Sequence, residues 1–293
     1  MTAVDTSKSS AVLVTGGTDG LGRATSLLLA SEGYRVFAGG RNAHRRAALD
    51  VEANDRNLPL ATLELDVTDD ESVNRAVAEI EQQAGPVEIL INNAGIAIGA
   101  VVEEISLADL RKQFDTNYFA IVRLSQRVLP AMRERRRGRI INMSSVAGLL
   151  GSPVMGPYSS SKHALEGLSD SMRFELIPFG IHVILIEPGF IPTNIENAAT
   201  QLSSAYVTRA QKSPYRMVYE GFRTGWAQVT KNPKYTPDDC ARVILRAIRD
   251  TPPRARYPVT STGHAVRWMK RIFSDRMLDR MITKQYRIRP PQD

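Results

Sequence analysis

Short apolar runs alternate with longer segments of helical periodicity over residues 11–187 of the chain. The apolar runs are rich in valine, leucine and isoleucine, as expected of strands buried on both faces. They lie at residues 11–15, 36–38, 62–66, 88–92, 139–144 and 182–187. The helical segments between them lie at residues 21–31, 43–54, 70–83, 107–133 and 156–179. Strands that alternate with helices predict right-handed crossovers, and therefore a doubly wound parallel α/β sheet with helices on both faces.

The pattern loses its period after Pro188 and regains it at Thr236. Residues 190–235 are of mixed polarity, and the segment is longer than an ordinary connection between two secondary-structure elements. We therefore expect a substrate-binding loop or lid there. Thr236 begins a capped helix that runs to about Arg249, and residues 255–259 predict a last strand. With no repeat and no linker, residues 1–262 are expected to form one domain. Residues 263–293 are expected to be a helical extension of it.

Composition is that of an ordinary globular protein, with 43% hydrophobic and 24% charged residues in a chain of 293. The single cysteine, Cys240, cannot form an intramolecular disulfide, which indicates a reducing compartment. The first ten residues lack the apolar core of a signal peptide, and no apolar run approaches the roughly 20 residues of a membrane span. We therefore expect a cytoplasmic protein.

The net charge of +7 is concentrated near the C-terminus. Residues 267–289 hold eight basic and two acidic side chains, so the body of the protein is close to neutral and a nucleic-acid surface is not indicated. Apolar residues recur among these charges near helical spacing. The favoured interpretation is a helical extension packed on the domain with its charges solvated. Contact of an amphipathic helix with an anionic membrane is the alternative.

A glycine-rich turn joins the first predicted strand to the first predicted helix. Residues 15–22 read T-G-G-T-D-G-L-G, and glycines at these positions let the backbone approach a pyrophosphate at a helix N-terminus. The spacing is G-x-x-x-G-x-G, which differs from the G-x-G-x-x-G dinucleotide fingerprint. A glycine cluster after a strand is also often only a turn, but the position between strand and helix favours a dinucleotide site.

The end of the second strand bears on which dinucleotide binds. Residues 36–41 read V-F-A-G-G-R, without the carboxylate that holds ribose hydroxyls in the usual fingerprint. Gly40 would leave room for a 2′-phosphate, and the guanidinium of Arg41 would bind it. Arg41 is alternatively the start of a solvated helix, and the carboxylate of Asp19 would not help a phosphate. We predict that NADP(H) is preferred over NAD(H).

Tyr158 and Lys162 stand four residues apart in the segment Y-S-S-S-K, which places them on one face of a helix. A free phenol has a pKa of about 10 and is a poor acid–base catalyst at neutral pH. A neighbouring ammonium group favours the phenolate and would bring that pKa toward the working range. Such pairs occur by chance in many helices. Ser145 at the end of a predicted strand and Asn117 in an earlier helix strengthen the interpretation.

These motifs together resemble the short-chain dehydrogenase/reductase (SDR) family, whose fold is Rossmann-like. They follow the family's order and spacing over residues 10–195. The matching positions are residues 15–22, Asp66, residues 92–95, Asn117, Ser144, Ser145, Tyr158, Lys162, Pro188, Gly189 and Thr193.

The resemblance implies a role for each matched catalytic residue. Tyr158 would be the general acid/base, and Lys162 would lower its pKa and bind the nicotinamide ribose. Ser145 would hydrogen-bond the substrate oxygen, and Asn117 would hold a water in a proton relay. No catalytic position departs from the family's pattern, which argues against a relative that only senses dinucleotides.

The resemblance also implies which residues bind the cofactor. Asp66 and Val67 would flank the adenine, the segment 93–95 would line the cleft, and the segment 188–193 would seat the nicotinamide. The full predicted set is Gly16, Thr18, Asp19, Gly20, Leu21, Gly22, Arg41, Asp66, Val67, Asn93, Ala94, Gly95, Tyr158, Lys162, Pro188, Gly189, Ile191 and Thr193.

Residues 158–175 and 186–193 look most like the hydroxysteroid and retinol dehydrogenase branch of the family. This implies a lipophilic alcohol or ketone as substrate. Smaller ketones, 3-oxoacyl thioesters, or a non-catalytic dinucleotide sensor are the alternatives. Side chains of the segment 190–235 would line an apolar pocket or pack that segment onto the body, namely Tyr206, Tyr215, Met217, Tyr219, Phe222 and Trp226.

Two further expectations concern partners and metals. Members of the family often assemble through the two long helices, so we expect a homo-oligomer, with dimer and tetramer both open. His163 has no histidine or cysteine partner at ligand spacing, so no metal site is predicted.

Overall fold

The computed structural model describes residues 10–288, apart from the side chains of residues 195–198. The polar N-terminal segment 1–9 and the last five residues of the expected extension, 289–293, lie outside the described residues.

Seven parallel strands form one sheet in the order β3-β2-β1-β4-β5-β6-β7. The chain runs from β1 outward to β3 and returns on the other side of β1 as β4, so the strand order reverses between β1 and β4. Ligands bind at such a reversal in doubly wound sheets. The strands are β1 Ala11–Thr15, β2 Arg35–Gly40, β3 Leu60–Glu64, β4 Val87–Asn92, β5 Gly138–Met143, β6 Ile181–Glu187 and β7 Arg256–Pro258.

Eleven α-helices accompany the sheet within residues 10–288. Two separate apolar cores lie on its two faces, one containing Leu29 and Ile248 of α1 and α9, the other Ile80 and Leu124 of α3 and α5. The doubly wound Rossmann-like fold is therefore confirmed. The helices are α1 Gly20–Ser31, α2 Ala43–Asp55, α3 Asp70–Ala84, α4 Leu107–Phe114, α5 Ala120–Glu134, α6 Gly156–Leu176, α7 Ile195–Arg209, α8 Arg216–Thr230, α9 Pro237–Arg249, α10 Ser261–Ile272 and α11 Asp275–Gln285.

The single helix expected over residues 107–133 is interrupted. A π-helical turn, Asp115–Phe119, joins α4 to α5, and Asn117 lies at its centre. The apolar spacing carries on through this turn, so hydrophobic periodicity does not reveal it. π-turns of this kind are often found at functional sites.

The expectation of a loop over residues 190–235 is wrong, because most of this segment is helical, in α7 and α8. The packing of α8 explains why its sequence shows no helical periodicity of apolar residues. Its buried positions include Gly221 and Gly225, which contribute no apolar side chain to the pattern. A Cβ atom on Gly221 would collide with the carbonyl oxygen of Tyr286, so glycine is what lets the C-terminal segment approach α8.

The basic C-terminal extension forms α10 and α11 and packs on the body of the protein. Val266, Leu278 and Tyr286 are buried, and Arg267 Nη1 lies 2.6 Å from Glu187 Oε1 at the end of β6. Within residues 10–288 no helix is both long enough and apolar enough to cross a membrane.

Candidate active site

A single cleft of about 1800 Å³ follows the carboxyl ends of the strands, from the glycine turn to α8 and α11. Every predicted cofactor-binding and catalytic residue lines this cleft except Gly22 and Asn117. Among residues 10–288 no group of three or more His, Cys, Asp or Glu side chains is placed to hold a metal ion.

The glycine turn brings backbone, without side chains, to the end of the cleft at α1. Gly16 and Gly20 adopt φ angles of +61° and +49°, which side-chain-bearing residues rarely adopt. A Cβ atom on Gly22 would collide with the carbonyl oxygen of Gly16, so Gly22 acts by letting the turn close against the helix. The turn therefore leaves an open approach to the positive end of the α1 dipole.

Asp19 caps α1, and its carboxylate is neutralised locally. Its Oδ1 accepts a hydrogen bond of 2.9 Å from Gly20 N and one of 2.8 Å from Asn194 Nδ2. Its Oδ2 lies 2.6 Å from Arg45 Nη1. The ion pair with Arg45 offsets the negative charge that would otherwise oppose a phosphate in this turn.

Asn93 ties the two strands on either side of the strand-order reversal. Its side-chain Nδ2 donates to the carbonyl oxygen of Thr15 at 2.9 Å, and its backbone N–H donates to Thr15 Oγ1 at 2.9 Å. Ala94 N donates to the same hydroxyl at 3.0 Å. These bonds hold the ends of β1 and β4 together at the floor of the cleft.

Near the end of β2, the structure lacks the free space that we expected beside Gly40 for a 2′-phosphate. The space expected beside Gly40 is taken by Thr18, whose hydroxyl would collide with a Cβ atom on Gly40. The Arg41 side chain is 71% exposed, with Nη1 3.5 Å from Asp66 Oδ2.

Arg45 also lines the cleft, although the sequence analysis did not predict it as a site residue. The position of Arg45 four residues after Arg41 was the available signal.

Asp66 is held ionised at the cleft edge. Burial acts to raise its pKa, but hydrogen bonds from Thr68 and the charge of Arg41 bring that pKa below its usual value. Thr68 donates to Asp66 Oδ1 through its backbone N–H at 3.0 Å and its hydroxyl at 2.7 Å.

Tyr158 and Lys162 lie on the inner face of α6, with Lys162 Nζ 5.7 Å from the centre of the Tyr158 ring. Ser145 lies within hydrogen-bonding reach of the Tyr158 hydroxyl, and a hydrogen bond from it acts to lower the pKa of the phenol. Burial raises the pKa of Tyr158, against the lowering effect of that hydrogen bond, so the phenol is protonated at neutral pH. In this structure burial outweighs the lowering that we expected from the Lys162 ammonium.

Lys162 is the group whose pKa lies near the working range. Burial lowers it to about 8, while the carboxylate of Glu166 acts in the opposite direction. Lys162 Nζ donates to the carbonyl oxygen of Met143 at 2.7 Å, which fixes the ammonium group at the end of β5.

Asn117 lies behind the cleft wall, in the π-helical turn. Its Nδ2 donates to Ile96 O at 2.9 Å and to Ser161 Oγ at 3.0 Å, and its Oδ1 accepts from Ile96 N at 2.9 Å. Both amide hydrogens are occupied. The side chain therefore fixes the turn after β4 and the helix that carries Tyr158 and Lys162.

A buried ionic cluster behind Lys162 was missed by sequence reasoning. Glu166 binds the Ser144 hydroxyl and lies 3.0 Å from Arg256 Nε. Glu187 has no solvent exposure, and its Oε1 lies 2.6 Å from Arg267 and 3.5 Å from Arg256. Burial and the charge of Glu166 raise the pKa of Glu187 to about 7, despite the two arginines. A glutamate at the end of an otherwise apolar strand was the available signal.

Aromatic side chains form one wall of the cleft. The rings of Phe190 and Trp226 are 5.6 Å apart, Trp226 and Phe222 5.8 Å, and Phe222 and Tyr286 5.8 Å. All four line the cleft. This aromatic wall runs from the segment after Gly189 to the C-terminal extension.

The other aromatic residues predicted in this segment hold the helices in place. The Tyr219 hydroxyl accepts from Val101 N at 3.1 Å, and the Tyr206 hydroxyl accepts from Ser106 N at 3.0 Å. Tyr215 binds Glu103, while Met217 is exposed. Phe222 and Trp226 therefore line the cleft and Tyr206 and Tyr215 pack the helices, while Tyr219 does both.

The comparisons with known proteins agree with this arrangement. Residues 10–203 match the family model described as short chain dehydrogenase. The chain belongs to the short-chain dehydrogenase family. It is therefore an oxidoreductase of CH–OH or C=O groups that uses a nicotinamide dinucleotide.

Relatives of this SDR protein differ in what they are named for. Retinol dehydrogenase 8 of Bos taurus is 34% identical over 250 residues, which cover 84% of this chain and 80% of that protein. The NADPH-dependent 3-dehydrocapnine reductase of Ornithobacterium rhinotracheale is 32% identical over 280 residues, covering 93% and 95%. An SDR structure from Burkholderia phymatum in complex with NAD superposes with a TM-score of 0.78 at 25% identity, covering 97% and 96%.

Proposed function

We propose that this protein is an NADP(H)-dependent oxidoreductase that interconverts a lipophilic ketone and its secondary alcohol, with Tyr158 as the general acid/base. The observation that carries the proposal is that Ser145, Tyr158 and Lys162 line one cleft together with the aromatic wall, with Lys162 Nζ 5.7 Å from the centre of the Tyr158 ring. A neutral phenol and a serine hydroxyl that converge on one point of a cleft suit a substrate carbonyl oxygen there.

The proton chemistry follows from the protonation states. A bound nicotinamide supplies or accepts the hydride. In reduction, Ser145 donates a hydrogen bond to the carbonyl oxygen and Tyr158 gives its proton to the developing alkoxide. The ammonium of Lys162 then stabilises the phenolate that remains. Its pKa of about 8 lets Lys162 exchange protons with water near neutral pH. We retain the proposal that a water near Asn117 takes part in this relay.

The shape of the glycine turn fits a dinucleotide. Gly16 and Gly20 hold positive φ angles and bring backbone without a side chain to the α1 N-terminus, where Asp19 caps the helix. Thr18, Asp19, Leu21 and the closing Gly22 would complete the pyrophosphate site. Asp66 and Val67 would border the adenine, Asn93, Ala94 and Gly95 the middle of the cleft, and Pro188, Gly189, Ile191 and Thr193 the nicotinamide.

The preference for NADP(H) rests on two guanidinium groups beside the end of β2. Arg41 is exposed and makes only a long contact with Asp66, and Arg45, which pairs with Asp19, lines the same cleft. Guanidinium groups bind phosphate through paired, charge-assisted hydrogen bonds. We expect kcat/KM to be higher with NADPH than with NADH, and equal values with the two cofactors would refute this preference.

A lipophilic substrate is favoured by the aromatic wall and by the relatives named for retinol and 3-dehydrocapnine. The direct test is a panel of carbonyls with NADPH. It would include retinal, ketosteroids, long-chain 3-oxo compounds, small ketones and short 3-oxoacyl thioesters. Turnover of the large apolar members supports the proposal, while activity on the small polar members alone favours the alternative reductase.

Substitution of Tyr158→Phe tests the catalytic role. Removal of the hydroxyl removes the proton donor, so we expect kcat to fall at least about a hundredfold. NADPH binding, measured by the change in its fluorescence, should persist because the ring remains. Full turnover by this variant would contradict the assignment. Cofactor binding by the wild-type protein without turnover of any carbonyl would favour a dinucleotide sensor.

We further propose that the protein is a cytoplasmic homo-oligomer assembled through α5, α6 and the segments beside them. Phe119, Phe174 and Ile177 present more than half of their surface to solvent in the single chain. Light scattering of the purified protein measures the number of subunits, and a monomer at micromolar concentration would contradict this assembly.

A further inference from the structure

We propose that the outer face of α10 and α11 docks on the surface of an anionic phospholipid membrane. We call this surface the tail face. It comprises four apolar and six basic side chains, namely Trp268, Ile272, Met277, Met281, Lys270, Arg271, Arg276, Arg280, Lys284 and Arg287. This inference goes beyond the proposed reaction and does not depend on which carbonyl is reduced.

The packing of the two helices explains why the tail face points outward. Each helix buries one side against the body, through Val266 in α10 and Leu278 in α11. Four apolar residues of the two helices nevertheless stay exposed, Trp268 and Ile272 in α10 and Met277 and Met281 in α11. Their exposed fractions are 59%, 55%, 46% and 46%, respectively. Four large apolar side chains thus remain in contact with water although the extension is fully docked.

The charges around these residues have one predominant sign. The six basic side chains of the tail face are exposed, and the acidic residues of the two helices are Asp275 and Asp279. Among residues 10–288, none of the six basic groups forms an ion pair with a carboxylate. In contrast, Arg267 on the inner side of α10 is paired with Glu187. The cations of the tail face are therefore available to a partner.

Charge complementarity decides which partner fits this face. A second copy of the chain would bring two surfaces of net positive charge together, which is unfavourable. An anionic membrane attracts clustered lysine and arginine residues while its interface accepts tryptophan, isoleucine and methionine side chains. Exposed apolar residues ringed by cations are the arrangement found in helices that lie in such an interface.

The position of α10 and α11 relative to the cleft makes this docking useful. Ile282, Gln285 and Tyr286 of the same segment line the cleft, and Tyr286 stacks on Phe222 at the end of the aromatic wall. A membrane bound at the tail face would therefore lie beside the cleft mouth. A lipophilic compound would reach the aromatic wall without crossing bulk water.

The test is sedimentation of the full chain with vesicles. One set would consist of phosphatidylcholine and the other would include about 30 mol% phosphatidylglycerol. We expect binding to the anionic vesicles at about 0.1 M salt and its loss at about 0.5 M salt, because salt screens the attraction. Absence of binding to anionic vesicles, or equal binding to both sets, would overturn the proposal.

Paired variants separate the tail face from general electrostatics. Arg280→Gln with Lys284→Gln should weaken binding about twenty-five-fold, since each basic residue near an anionic surface contributes about fivefold. Arg56→Gln with Arg75→Gln removes the same charge from the C-cap of α2 and from α3, and should change binding less than twofold. Equal effects of the two pairs would show that only net charge matters and would refute a defined docking face.

The apolar contribution has its own readout. Trp226→Phe leaves Trp268 as the single tryptophan, and its fluorescence should shift to shorter wavelength on addition of anionic vesicles. Met277→Ser with Met281→Ser should weaken vesicle binding and leave carbonyl turnover in solution unchanged. If this variant instead changes the number of subunits in sedimentation velocity, the tail face is a contact between copies and the proposal is wrong. Vesicle binding and tryptophan fluorescence do not depend on activity, so failure of the proposed reaction would leave these two results intact.

Discussion

At the scale of single residues, burial controls the chemistry of the site more than charge does. Tyr158 keeps its proton and Lys162 loses its proton more readily, because burial disfavours the charged form of each group. Glu187 shows the same effect in a carboxylate. Two arginines face its Oε1, whereas its Oε2 has no hydrogen-bond partner among the described residues. This asymmetry suits a carboxyl group that retains a proton near neutral pH.

The raised pKa of Glu187 predicts a pH dependence of stability. The folded protein keeps this proton up to about pH 7, whereas the unfolded chain releases it near pH 4.5. The folded state therefore binds more protons between these values, and the free energy of unfolding falls as pH rises through this window. We expect a fall of roughly 3 kcal/mol from this group.

Glu187→Gln should remove that fall, because the amide cannot ionise. Thermal unfolding of wild type and variant between pH 4.5 and 7.5 measures it. Glu175→Gln, which alters an exposed glutamate of α6, is the control and should leave the profile parallel to that of wild type. A Glu187→Gln profile that also runs parallel to wild type would show that Glu187 titrates normally.

At the scale of the secondary-structure elements, a buried arginine of the sheet caps the C-terminus of a helix. Arg139 of β5 is 1% exposed, and its guanidinium donates to Ala247 O and to Asp250 O, both at 3.1 Å. These carbonyl groups end α9 and have no partner within the helix. A positive charge at a helix C-terminus is also favourable to the helix dipole. Arg139 thereby joins α9 to the opposite half of the chain.

Arg139→Met is predicted to lower the free energy of unfolding by about 2–4 kcal/mol, because methionine fills similar space but leaves two buried carbonyl groups unsatisfied. Urea denaturation followed by circular dichroism measures the loss. Arg135→Met, at the exposed end of α5, should cost less than about 0.5 kcal/mol. Similar values for the two variants would show that the cap contributes nothing to stability.

At the scale of the whole molecule, the C-terminal extension is part of the site. It is fixed to the end of β6 by the ion pair of Arg267 with Glu187, and to α8 by the close approach of Tyr286 to Gly221 and Gly225. Tyr286 also ends the aromatic wall. The extension therefore helps to set the size of the substrate cleft from a position far along the chain from Tyr158.

Gly221→Ala tests this coupling, because the added methyl group would collide with the carbonyl oxygen of Tyr286 and displace the end of α11. We expect faster trypsin cleavage within residues 276–287 and an increase of KM for large apolar carbonyls of about tenfold, since at least one aromatic contact is lost. Gly167→Ala on α6, where a Cβ atom meets nothing within 4 Å, is the matched control. An unchanged cleavage rate and KM in Gly221→Ala would refute the role of the extension.

The sequence by itself determined the sheet, the helices on its two faces and the position of the site. Strand β1 was predicted with its observed bounds, and the other strands to within two residues, because apolar periodicity is a local property of the chain. The spacing of Tyr158 and Lys162 on one helix, and the glycine turn after β1, are local for the same reason. Neither needs distant residues to be recognised.

Only the tertiary structure decided which distant groups meet. The pairing of Glu187 with Arg267 spans 80 residues, and the aromatic wall joins residues from three separate segments. The helical state of α8 depends on a buried face made partly of glycines, whose value lies in the backbone that they admit. Burial, charge pairing and the close approach of two backbones depend on contacts between distant segments. They cannot be predicted from the order of residues within one segment.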